Sequence, residues 1–98
     1  MQFSGFDWDE GNRTKCRKHG VPPDGVESLF QKNVLMLPDD AHSREERRFR
    51  AIGRDAKDRA IFVVFTLRRR GGDMLIRPIS ARYMHKKESE HYEKNYGS

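Results

Sequence analysis

The sequence predicts an α+β domain: two N-terminal helices, a four-stranded antiparallel sheet and a C-terminal helix. Three observations predict it. Apolar residues recur at helical spacing before residue 31, in strand-like runs between Val34 and Ile79, and as a partial stripe after Ser80. The strand-like runs follow one another through short polar turns, which makes an antiparallel meander with the helices on one side. The 98 residues contain no internal repeat, low-complexity tract or dividing linker, so residues 1–98 are expected to form a single domain around one core.

Phe6-Asp7-Trp8 is a short aromatic entry segment, readable as a frayed edge strand. Asp9 suits the N-cap of a first helix running to about His19, with Gly20 at its C′ position. Asn12, Cys16 and His19 share one face of that helix, an unusually polar inward stripe. Pro22 and Pro23 restart the chain, and proline is tolerated in a first helical turn. Val26, Leu29 and Phe30 then space a short second helix, which Gly25 weakens. Val34 to Leu37 reads as a buried strand stopped by Pro38-Asp39-Asp40, with a polar loop over residues 39–45.

From Arg47 to Ile52 the pattern alternates, with Phe49 and Ala51 on one face and Arg48, Arg50 and Ile52 on the other. Gly53 to Arg59 is a polar turn. Ala60 to Leu67 is apolar on both faces and predicts the central strand. Arg68-Arg69-Arg70-Gly71-Gly72-Asp73 reads as a hairpin loop into a strand over Met74–Ile79. Pro78 cannot donate to a ladder, so this strand should end at an edge or a bulge. Ser80 then caps a charged last helix, about Ser80 to Asn95, with a stripe of Ala81, Met84, Tyr92 and Tyr96.

Hydrophobic residues are 35% and charged residues 36%, so the core is thin and the surface highly charged. The net charge of +5 is uneven. Residues 1–40 carry five Lys/Arg against seven Asp/Glu, a net of −2; residues 41–98 carry fifteen against eight, a net of +7. A field concentrated in this way suits nucleic acid, and equally an acidic protein partner. Cys16 is the one cysteine, which excludes an internal disulfide and a thiolate zinc site. The absence of a membrane-length apolar run or a signal-peptide pattern at the N-terminus leaves a reducing cytoplasm as the expectation, with no membrane contact.

The densest chemistry lies at Arg77-Pro78-Ile79-Ser80-Ala81-Arg82. If the last helix starts at Ser80, its free N–H groups, the hydroxyl and the guanidiniums of Arg77 and Arg82 could meet at one anion. Otherwise Ser80 only caps the helix and the arginines solvate the surface. Glu46, in Glu45-Glu46-Arg47-Arg48, suits either a general base tuned by its neighbours or an exposed ion pair. His19, after Lys18, suits either acid–base work or a structural bond to a carbonyl. Arg48, Arg50, Arg68 and Arg69 are candidate phosphate contacts, and Tyr83 a candidate for stacking on bases, while Trp8 reads as core. His42, His85 and His91 have no metal spacing, so neither a metal site nor a cofactor is expected.

Taken in order, these segments resemble the BrnT family. The resemblance rests on Phe6-Asp7-Trp8-Asp9, Asn12, Lys18-His19-Gly20-Val21, Glu46-Arg47, Ala51-Ile52-Gly53, Val63-Val64-Phe65-Thr66 and Arg77 to Arg82, and covers about residues 6–92. BrnT proteins are ribonuclease toxins of type II toxin–antitoxin modules. The resemblance implies a RelE-like fold and RNA cleavage that shuts down translation. It implies neutralisation by a cognate BrnA-like antitoxin, whose ribbon-helix-helix region supplies the contact with operator DNA. It also implies active-site positions at Lys18, His19, Glu46, Arg47, Arg77, Ser80 and Arg82. Pro78 departs from the aliphatic residue common in the family, and Pro22-Pro23 from its serine cap and aromatic residue.

RNA can be cleaved without a metal by using its own 2′-hydroxyl as the nucleophile. Arg77 and Arg82 would then stabilise the phosphorane-like transition state and Ser80 would orient the phosphate. Glu46 or His19 would be the base, and the other, or Lys18, the acid. The polar stripe Asn12–His19 leans the same way. A non-catalytic nucleic-acid-binding module, or a protein-interaction module, would use the same basic surface.

Overall fold

The computed structural model describes residues 3–32, 34–42 and 45–96, except for the side chains of His42 and Tyr96. The expected place of Tyr96 on an apolar stripe and of residues 43 and 44 in a loop lie outside this description. Asp9 caps helix α1 (Glu10–Arg17) through a capping box: its carboxylate accepts from the Asn12 N–H, and its own N–H donates to Asn12 Oδ1. α1 ends earlier than expected, with Lys18 as C-cap and Gly20 in the left-handed region at φ +83°. Helix α2 (Pro23–Phe30) forms despite Gly25, with Pro23 in its first position.

The α+β class holds, but the sheet has five strands and is mixed. Its order is β1-β5-β4-β3-β2. The strands are β1 (Gly5–Phe6), β2 (Leu35–Pro38), β3 (Phe49–Arg54), β4 (Ala60–Arg70) and β5 (Asp73–Tyr83). The four expected strands are antiparallel neighbours. The added one, β1, pairs parallel to β5 through Gly5 opposite Leu75 and Phe6 opposite Ile76. The edge strand readable at Phe6-Asp7-Trp8 is thus present, shifted to Gly5–Phe6, but two residues carry no periodic signal that would give its parallel pairing with β5. Asp40–His42 form a single 3-10 turn in the expected loop.

Two boundaries differ in ways that matter for the site. Arg68, Arg69 and Arg70 are not in a loop: they extend β4, and Gly71-Gly72 alone make the turn, both with positive φ. Ser80 does not cap a helix. It lies within β5, and helix α3 begins only at Lys86 (Lys86–Tyr96). Cross-strand pairing through Val64–Ser80, Val63–Ala81 and Phe62–Arg82 carries the chain past the expected junction.

α1 and α2 cover one face of the sheet. Cys16, Val21, Val26, Leu29, Ala51, Ile61, Val63, Phe65, Ile76 and Ala81 form the core there. Phe6, Phe30 and Phe65 join it edge to face. Trp8 packs against this core, as expected, and its indole N–H donates to Glu27 Oε2 at 2.8 Å. Residues paired across the strands alternate between the two faces. With the core on one side, the other presents Arg50, Ile52 and Arg54 of β3, and Phe62, Val64, Thr66, Arg68 and Arg70 of β4. Among the described residues no helix is long and apolar enough to cross a membrane.

Candidate functional site

The site is built by a β-bulge. Val64 pairs with Ser80 and Phe65 with Pro78, so Ile79 is the extra residue on β5. In a regular strand residues 77 and 80 would point to opposite faces. The inserted residue reverses the alternation, as bulges do where a side chain must be re-aimed. Pro78 therefore turns into the core, while Arg77, Ser80 and Arg82 share the face opposite the helices. The edge-or-bulge expectation for Pro78 is met by the bulge. Its carbonyl accepts from Asn12 Nδ2 at 2.8 Å, which fastens α1 beside the bulge.

Strand geometry replaces the expected cluster around a helix start with a line. Arg77 lies opposite Thr66, Ser80 opposite Val64 and Arg82 opposite Phe62. At about 3.3 Å per residue, each guanidinium-bearing position is some two steps, or ~7 Å, from Ser80 along the strand. Both arginines are already held by carboxylates. Arg77 donates to Asp9 Oδ2 at 2.7 Å and lies 3.5 Å from Asp7 Oδ2. Arg82 grips both oxygens of Glu88 at 2.7 and 2.8 Å and lies over the Phe62 ring at 4.6 Å. The hydrogen bond from Arg77 to Asp9 raises the Arg77 pKa; the bond from the Asn12 N–H and then the one from Arg77 lower that of Asp9. The fork from Arg82 likewise lowers Glu88 and raises Arg82.

Glu46 and Arg68 form an ion pair at 2.9 Å towards the Arg77 end of this face. Arg70 reaches Asp7 Oδ2 at 3.2 Å. Arg50 stands in the same cross-strand row as Val64 and Ser80. Its Nε and that of Arg68 are buried without an acceptor. Arg48 leads into β3, its carbonyl accepting the Asp39 N–H. Arg47 sits over the Phe49 ring at 5.4 Å, and its carbonyl accepts the Thr66 hydroxyl. Arg69 is exposed near the hairpin tip.

Lys18 and His19 are exposed on the turn after α1. A side chain at the adjacent Gly20 would begin 3.9 Å from the Tyr83 ring, so this turn lies beside the Arg82–Tyr83 end of β5. No described hydrogen bond or ion pair joins it to the other candidates. Tyr83 itself packs against the core, its hydroxyl is buried without a partner, and Arg59 lies over its ring at 4.7 Å. That placement removes Tyr83 from the arginine face where base stacking was expected. Asn12 is likewise structural: capping, Asp7 and Pro78 use its side chain completely.

Sequence reasoning missed Asp7, Asp9 and Glu88 as partners of the site arginines. The alternation Asp7-Trp8-Asp9 was visible, but its meaning depends on β1 lying beside β5. α3 spans one end of the face, tied by Arg82–Glu88 and Arg54–Glu93. Among the described residues no group of three His, Cys, Asp or Glu side chains is placed to hold a metal ion. The surface can thus offer guanidiniums and a hydroxyl to phosphate, with carboxylates at its rim.

No curated protein matches the chain. A family profile does, over residues 8–88, which takes in the capped α1, the arginine strands and the Arg82–Glu88 pair. On that match the chain belongs to the BrnT family, described as ribonuclease toxin, BrnT, of type II toxin-antitoxin system.

Proposed function

We propose that the chain cleaves RNA by activating the substrate's own 2′-hydroxyl, with the arginine face as its active surface. The observation that carries this reading is the bulge that turns Arg77, Ser80 and Arg82 to one face of the sheet. A phosphate over Ser80 lies between the two arginines, and each side chain is long enough to swing towards it. The 2′-oxygen attacks phosphorus, and the bond to the 5′-oxygen breaks. The products are a 2′,3′-cyclic phosphate and a 5′-hydroxyl. Once drawn from Asp9 and Glu88, the two guanidiniums offset the charge of the transition state, often the largest catalytic contribution.

An in-line displacement sets nucleophile and leaving group on opposite sides of phosphorus. Glu46 lies towards the Arg77 end and the Lys18–His19 turn towards the Arg82 end. Glu46, paired with Arg68 at one end of the face, is the nearer candidate for the base; Lys18 and His19, on the turn beside Tyr83, would have to reach round the end of β5 to act as the acid for the 5′-oxygen. Arg47 holds the entry to β3 through its contacts with Thr66 and Phe49. Arg48, Arg50, Arg68 and Arg69 extend the phosphate contacts. In the cell this cleavage would inhibit translation. A type II toxin is paired with a protein antitoxin; here we propose a BrnA-like one, whose ribbon-helix-helix region alone contacts operator DNA.

Ser80→Ala is the cleanest test, because the hydroxyl carries no described hydrogen bond. Cleavage should fall about 100-fold with unchanged melting. Cleavage at the wild-type rate would remove Ser80 from the mechanism.

A further inference from the structure

Arg50 differs from the other guanidiniums of the open face. Arg54, Arg68, Arg70, Arg77 and Arg82 each hold a carboxylate. Arg50 has no hydrogen-bond or ion-pair partner among the described residues, and its Nε is buried. Its cross-strand neighbours, Leu37 and Val64, are apolar and offer it no acceptor. A buried Nε–H left without an acceptor disfavours the empty state, and an anionic oxygen arriving at that atom removes the penalty; the Nε of Arg68 is alike, but its guanidinium already holds Glu46. Ser80 lies on the far side of Val64 in the same row. With strands about 4.8 Å apart, the two backbones are about 10 Å apart, a gap that the arginine side chain and a phosphate seated over Val64 bridge together.

From this we infer that Arg50 and Ser80 bracket Val64 as the docking site for an RNA backbone phosphate, and that Arg50 is the guanidinium that takes it first. Arg77 and Arg82 must give up Asp9 and Glu88 before they can bind the same anion, whereas Arg50 gives up nothing. The assignment rests on the arginine face being the RNA surface. It adds an order of engagement: docking on Arg50, then recruitment of the two paired arginines from either side. Arg50 is thus a substrate-binding residue that sets the position of the phosphate against Ser80.

The experiment uses a 2′-O-methyl RNA oligonucleotide, which cannot be cleaved by this route, and measures its affinity for the full chain from 50 to 200 mM salt. Arg50→Gln should bind about tenfold more weakly, and the slope of log affinity on log salt should lessen by about 0.7, the loss of one single-strand phosphate contact. Its melting temperature should match that of the wild type, because Arg50 has no hydrogen-bond or ion-pair partner among the described residues to lose. Arg50→Lys should restore the slope but only part of the affinity, since the ammonium lacks the bidentate fork. Unchanged affinity and slope in Arg50→Gln, or an affinity loss matched by a fall in melting temperature, would overturn the assignment while leaving the RNA surface in place. If the wild type fails to bind the oligonucleotide at all, the RNA reading of the face fails and takes the assignment with it.

Discussion

Asn12 joins the start of α1 to the sheet through three side-chain hydrogen bonds, to the Asp9 N–H and to the carbonyls of Asp7 and Pro78. It is buried, so its loss leaves those groups without partners. Asn12→Ala should cost about 2 kcal/mol in urea unfolding. Of the polar stripe that suggested catalysis, Asn12 and Cys16 do face inward, but His19 lies beyond the end of α1 and is exposed, and a sequence cannot distinguish a buried cap from an active-site amide. Gly53 shows the converse. A Cβ there would lie 2.9 Å from Leu29 Cδ1, inside the core. Gly53→Ala should destabilise by about 1–3 kcal/mol, and less in a Leu29→Ala background, as a double-mutant cycle would show. Nothing in the local sequence marks Gly53 as a close approach, because Leu29 reaches it from another element. Cys16 was legible: burial pushes its thiol up to about 11, so alkylation of the native protein should be slow and should become fast on unfolding.

Among the elements, the helices and the long strands could be read because each carries its own periodicity. The Asp9 cap, the Pro23 start and the apolar run Ala60–Leu67 are local signals. The β5–α3 boundary could not be read. Ser80 has the chemistry of a cap, yet pairing with Val64 keeps it extended, and tertiary pairing overrides local preference. The bulge was legible only as the anomaly of a proline in a strand. α3 depends on its ion pairs more than on burial. Glu88 is held below the ordinary glutamate range by Arg82. A depressed carboxylate stabilises the folded arrangement above its unfolded value, and that contribution is lost as pH falls through the lower folded value. Hydrogen-exchange protection factors in α3 should therefore fall selectively on acidification below the usual glutamate range. Glu88→Gln should show that lower protection already at neutral pH; equal protection in both proteins would detach α3 from this pair.

For the whole molecule, the charge asymmetry was readable from composition and acquires its meaning from the sheet. β3, β4 and β5 all come from the basic part of the chain, and the acidic N-terminal part supplies Asp7 and Asp9 to one rim. Long-range pairing thus turns a charge gradient along the sequence into a basic face with an acidic border. The most direct test is to incubate the antitoxin-free chain with a structured RNA in EDTA, beside Ser80→Ala, and analyse the new ends. Cleavage by the wild type, with 2′,3′-cyclic phosphate and 5′-hydroxyl ends and about 100-fold slower in the variant, is the expected result. Ends carrying a 5′-phosphate, or cleavage abolished by EDTA and restored by a divalent cation, would contradict the mechanism.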